Sequence, residues 1–144
     1  MKGFIYPILL VEDNPMDVDL TLRAFARSKA GSHYQLEIVR DGAEALEQIK
    51  RWETGHPLPL FILLDLKLPK VDGLDVLHQL KSHPRFKVIP VVVLTTSSEE
   101  RDIQNAYMNG ANSYIVKPVD FDQFMRAVDQ LEEYWGGLNT HSLM

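Results

Sequence analysis

Short apolar runs alternate with amphipathic stretches along this chain, five times over. YPILLVED (6–13), YQLEIV (34–39), LFILLD (60–65), IPVVVLTT (89–96) and NSYIVK (112–117) read as strands. Three of them are apolar almost throughout, which suits a parallel sheet covered on both faces. YQLEIV alternates apolar and polar residues and so belongs at an edge. The stretches between carry helical spacing. Asn14-Pro15 offers a cap followed by proline at the first helical position, with Val18, Leu22 and Phe25 on one face. Ala45, Leu46, Ile49 and Trp52 line a second helix. Asp72 caps a third, which turns Val76, Leu77 and Leu80 inward. Ile103, Ala106 and Tyr107 mark a fourth, stopped by Gly110. Phe121, Phe124, Met125, Val128 and Leu131 give the last a clear 3.6-residue period.

Five βα units in this order predict one α/β domain, a doubly wound five-stranded parallel sheet of (βα)5 type. The chain shows no repeat, linker or low-complexity segment. Residues 1–139 are expected to form one domain, and 140–144, at the end of GLNTHSLM, a flexible tail.

Composition narrows the partners. A length of 144 residues suffices for a core without covalent staples. Net charge is −5, with no stripe of Lys and Arg, so a nucleic-acid partner is not expected. There is no cysteine, which removes disulfides and thiolate metal sites and fits a reducing cytoplasm. MKGFIYPILLVEDN is too short to span a membrane and lacks a small-residue cleavage site. A cytoplasmic protein with no membrane partner is the expectation.

The stretch FILLDLKLPKVDG (61–73) poses a chemical question, because an apolar strand delivers its chain straight into Asp65. A buried carboxylate is costly unless something pairs with it. In doubly wound sheets, ligands bind beyond the carboxyl ends of the strands. Those ends carry Glu12 and Asp13, then Asp65, then Thr95 and Thr96, then Lys117 followed by Pro118. Crowded carboxylates raise one another's pKa, and a hard divalent cation such as Mg2+ relieves this through oxygen ligands. A hydroxyl and an ammonium opposite a metal-bound carboxylate suit phosphoryl oxygens, and an Asp can itself be the nucleophile that takes up a phosphoryl group.

VEDN, LLDLKLPKVDG, VVVLTT and YIVKP, in this order and spacing, resemble the receiver domain of two-component response regulators over residues 7 to about 135. The resemblance implies a flavodoxin-like strand order 2-1-3-4-5 and a cytoplasmic phosphoacceptor fed by a histidine kinase, capable only of self-catalysed phosphotransfer and autodephosphorylation. It implies Asp65 as phosphoacceptor. Mg2+ would be held by Asp13, Asp65 and the Lys67 backbone carbonyl, with Glu12 acting through water. Thr95 and Lys117 would stabilise the phosphoryl group, Thr95 and Tyr114 would form the switch, and Pro118 would follow a cis peptide bond. Lys67 stands where the family often has Met, and Glu12 replaces a frequent Asp. The chain stops after its fifth helix, like a single-domain regulator. KRWETGHPLPL and EEYWGGLN further resemble the small regulators that partner phytochrome-type histidine kinases.

A haloacid dehalogenase-type phosphatase needs a second Asp two residues after its nucleophile, where this chain has Lys67. In a flavodoxin the first loop cradles phosphate, which EDNPMD would repel. No GxxxxGK[ST] stretch is present. The remaining rival is a degenerate receiver that acts as an interaction module without taking phosphate. Output is expected through the fourth helix, fifth strand and fifth helix, beside Tyr107, Tyr134 and Trp135, as a homodimer or a kinase contact.

Overall fold

Residues 6–27 and 34–142 are described by the computed structural model. Five strands run parallel: β1 (Tyr6–Val11), β2 (Tyr34–Val39), β3 (Ile62–Leu64), β4 (Val91–Thr95) and β5 (Ser113–Val116). Their order is β2-β1-β3-β4-β5, with β2 at an edge as its alternating pattern implies. Consecutive strand residues point to opposite faces, and in the three central strands both sets are apolar. Leu9, Val11, Ile62, Leu64, Val91 and Val93 pack on one side. Ile8, Leu10, Leu63, Val92 and Leu94 pack on the other. Burying such side chains contributes about 1.5–3 kcal/mol each, so the sheet is stable only when helices cover both faces.

The first face is covered by α2 (Gly42–Glu53) through Ala45, Ile49 and Trp52, by α3 (Gly73–Ser82) through Val76, Leu77 and Leu80, and by α4 (Glu100–Met108) through Ala106. The second is covered by α1 (Pro15–Arg27) through Ala24 and Phe25 and by α5 (Phe121–Leu131) through Phe124, Val128 and Leu131. Asn14 caps α1 as its sequence suggests, its Oδ1 accepting from the N–H groups of Met16 (2.9 Å) and Asp17 (3.3 Å).

Several expectations need correcting. On α1 the inward residue is Thr21, not Leu22, which is exposed. Thr21 can be buried because its hydroxyl donates to the Asp17 carbonyl at 2.7 Å. Asp72 sits at the N-cap of α3, but its side chain makes no cap hydrogen bond. Tyr107 of α4 is half exposed, as a place on the output face requires, whereas Trp135 is partly buried against the second core. A π-helical turn follows α5 from Glu132 to Leu138. Gly136 permits that turn: a Cβ there would lie 2.0 Å from the Tyr34 hydroxyl. Of the expected tail, His141 and Ser142 line a cavity of about 280 Å³ with Leu58, Leu60, Val88 and Ile89 at the amino-terminal end of β3 and β4. Residues 143 and 144 lie outside the described residues.

Candidate functional site

Because the strands are parallel, the residues just beyond them share one rim. Glu12 and Asp13 follow β1, Asp65 follows β3, Thr95 closes β4, and Lys117 follows β5. The strand ladders extend far enough to fix them. The Asp65 N–H donates to the Val11 carbonyl at 3.0 Å, and the Lys117 N–H to the Thr95 carbonyl at 2.7 Å. Lys117 is therefore aimed back across the sheet. Its ammonium donates to Glu12 Oε1, to Asp17 Oδ2 at 2.9 Å and to Asp65 Oδ2 at 3.5 Å.

Carboxylate oxygens of Glu12, Asp13 and Asp65 lie within 4.8 Å of one another. This donor set is all oxygen and all anionic, which fits a hard divalent cation. Asp13 is exposed at the mouth, whereas Glu12 and Asp65 are buried. Burial pushes the Glu12 carboxyl up to about 7, the Lys117 hydrogen bond pulls it down, and the Asp65 charge raises it again. Burial is also the largest single effect on Lys117 and acts to lower it. Glu12, Asp17 and Asp65 together outweigh it, so the ammonium is held above its ordinary range.

The loop after Asp65 is closely fitted. The Lys67 N–H donates to Asp65 Oδ1 at 3.2 Å, and the Gly73 N–H donates to the Leu66 carbonyl at 2.9 Å. A Cβ at Gly73 would stand 2.4 Å from the Asp65 carbonyl oxygen, so only glycine lets α3 start this near the site. Lys70 holds a left-handed φ of 68°, which costs a non-glycine residue on the order of 1 kcal/mol. Its ammonium lies 3.4 Å from Asp41 Oδ2 at the cap of α2. Lys67 lines the cleft together with Asp13, Asp17, Thr96 and Lys117.

The Thr95 side chain is wholly buried, and its hydroxyl has no hydrogen-bond partner. Such an orphan is costly in a stable fold, and the Trp52 indole nitrogen is buried without a partner in the same way. The Tyr114 hydroxyl donates to the Ser97 carbonyl at 2.9 Å, while Ser97 Oγ donates to Asp102 Oδ2 at 2.5 Å. These bonds tie β5 to the β4–α4 loop and the loop to α4. The expected cis bond before Pro118 is absent, and the Lys117–Pro118 bond is trans. Trans is the intrinsically favoured isomer by about 0.5–1 kcal/mol, and with it Lys117 already reaches all three carboxylates.

The structure brings together Glu12, Asp13, Asp65 and Lys117 from the strand ends, while Thr95 stays buried and Thr96 lines the cleft. Reasoning from strand ends missed Asp17, which comes from the first turn of α1. Its signal was present in EDNPMD: a second acid four positions after Asp13, on a helix begun by Asn14-Pro15. Ser97 and Asp102 were also missed, since neither ends a strand.

Residues 8–129 match the response regulator receiver domain. The chain belongs to this family. The receiver is 48% identical over 133 residues to the probable methanogenesis regulatory protein FilR2 of Methanothrix harundinacea (strain 6Ac), covering 92% of this chain and 84% of that one. It is also similar to the crystal structure of the phosphorylated cyanobacterial phytochrome response regulator RcpA, with a TM-score of 0.88 and 40% identity over 96% of this chain and 99% of that one. The Mn(2+)-bound form of response regulator Rcp1 is similar at a TM-score of 0.86 and 36% identity, covering 96% of this receiver and 99% of that chain. This receiver is a phosphoacceptor module of two-component signalling, in which receiver domains partner with histidine kinases.

Proposed function

We propose that this receiver takes a phosphoryl group from a histidine kinase, of the phytochrome type, onto Asp65 in a Mg2+-dependent reaction. An Asp65 carboxylate oxygen attacks phosphorus; the P–O bond forms as the P–N bond to the kinase imidazole breaks, and the leaving nitrogen regains a proton. Asp13, Asp65 and the Lys67 carbonyl would hold the cation directly and Glu12 through water. When bound, the cation offsets the negative charge gathered around the transferring group. Lys117 and the Thr95 hydroxyl would each take one phosphoryl oxygen. Hydrolysis of the acyl phosphate by water then resets the protein, so its only chemistry is on itself.

The observation that carries this reading is the cluster of Glu12, Asp13 and Asp65 carboxylates with the Lys117 ammonium among them on one rim. Thr95, wholly buried at the end of β4, would have to turn toward it. The oxygen donor set and the Mn(2+)-bound relative support a divalent cation. Residues 1–139 would act as one receiver unit in the cytoplasm, without nucleic acid. The absence of cysteine agrees with that compartment, and among the described residues no helix is long and apolar enough to cross a membrane. The signal would leave through α4, β5 and α5, to a second copy or to the kinase. Tyr107, Met108, Val116 and Tyr134 are exposed there.

Treatment with acetyl phosphate and Mg2+, followed by intact-protein mass spectrometry, tests the acceptor. The unsubstituted chain should gain one phosphoryl group and Asp65→Asn none. Equal labelling of the variant would refute the assignment, and no labelling of either would favour a phosphorylation-independent interaction module.

A further inference from the structure

The Lys117 ammonium has three hydrogens and three carboxylate neighbours, Glu12, Asp17 and Asp65. Two of these belong to the group that can share a cation, and Asp17 does not. Asp17 also comes from a separate element, and its backbone is fixed from two directions. Its N–H donates to the Asn14 cap at 3.3 Å, and its carbonyl accepts the Thr21 hydroxyl at 2.7 Å. The contacts of Lys117 are graded: Glu12 is nearest, Asp17 follows at 2.9 Å, and Asp65 lies at 3.5 Å, the outer limit of a hydrogen bond.

A cation held by Asp13 and Asp65, with Glu12 reached through water, competes with Lys117 for the Asp65 oxygens and for the Glu12 carboxylate, and it leaves Asp17 alone. We infer that Asp17 is a positioning residue. It holds the Lys117 ammonium to one side of Asp65, so that the acceptor oxygen stays open to cation and phosphorus. The ammonium then has only a local shift to make toward a phosphoryl oxygen. Without Asp17, Lys117 settles onto Glu12 and Asp65 and competes with the cation there. The inference rests on the acceptor and metal reading above.

The test is a double-mutant cycle in the full chain, with Asp17→Asn, Lys117→Gln and the pair, following Mg2+ binding by calorimetry. With Lys117 present, Asp17→Asn should weaken Mg2+ binding about fivefold, the scale of one partly exposed ion pair. With Gln at 117, the same substitution should cost no more than about twofold, the effect of a screened charge nearby. The 15Nζ resonance of Lys117 should also move in Asp17→Asn, since the ammonium loses a direct acceptor, and the coupling between the two positions separates positioning from a merely structural role. Asp17→Ser, which removes the carboxylate with a different shape, should reproduce the same coupling. Equal losses in both backgrounds, or an unmoved Lys117 resonance, overturn the positioning role while leaving the metal reading intact. Failure of the unsubstituted chain to bind Mg2+ overturns that reading and this inference with it.

Discussion

At Glu12, burial and charge act hardest in opposite directions. Its carboxyl is raised from an ordinary 4.5 to about 7, with burial as the leading cause. Without divalent cation, the folded protein keeps a proton between about pH 4.5 and 7 that the unfolded chain has already released. This contribution to stability is complete below 4.5 and is lost as pH rises through 7. A cation competes with that proton, so Mg2+ should flatten the dependence. We expect the melting temperature in EDTA to fall across this window for the unsubstituted protein and to stay flatter in Glu12→Gln. Parallel pH slopes for the two proteins would contradict this. Residues at this scale were legible where a strand delivers them, as with Asp13, Asp65, Thr95 and Lys117. Asp17 was not, because its place depends on how the first turn of α1 faces a strand end far along the chain. Nor was Thr21 legible as a core residue, since burial of a hydroxyl depends on a backbone acceptor that pattern alone does not reveal.

Among the five α-helices, α4 is the least anchored: Ala106 is its one buried residue, against four in α3. Its amino-terminal loop is held by the Tyr114–Ser97 and Ser97–Asp102 bonds. A helix so lightly packed can shift when Thr95 is drawn toward a phosphoryl group and the Tyr114 ring follows, a two-state change biased by local contacts. Phosphorylation, or the beryllofluoride mimic, should therefore strengthen a homodimer through α4, β5 and α5, and Tyr114→Ala should weaken that dependence. Sedimentation with and without the mimic decides it. A monomer in both states, with no amide shifts on this face, would remove the proposal. The three central strands were legible because each buries a continuous apolar run, and four of the helices because each buries an apolar face. Gly136 was not legible as a packing residue, because its contact with Tyr34 joins the end of the chain to β2.

For the molecule as a whole, the strand order followed from the family resemblance, and both apolar faces followed from the central strands. The parallel topology has a further consequence for the order of events in folding. No two neighbouring strands are joined by a hairpin, so each pairing must close a loop that contains a helix. Lys117 meets Glu12 across 105 positions, Asp17 across 100 and Asp65 across 52. Closing such loops costs entropy before their contacts form, and we expect the ion pairs at the rim to form after the rate-limiting step. Interactions absent from the transition state govern how long the native state survives rather than how quickly it is reached. In EDTA at pH 8, Lys117→Met leaves buried carboxylates unpaired and should cost about 3 kcal/mol. Nearly all of it should appear as unfolding on the order of 100-fold faster, with refolding hardly changed. A chevron plot in which the refolding limb carries half the loss or more would contradict this order. On this account the cluster that receives the signal also acts as a kinetic lock on the fold, the last part to close and the first to open.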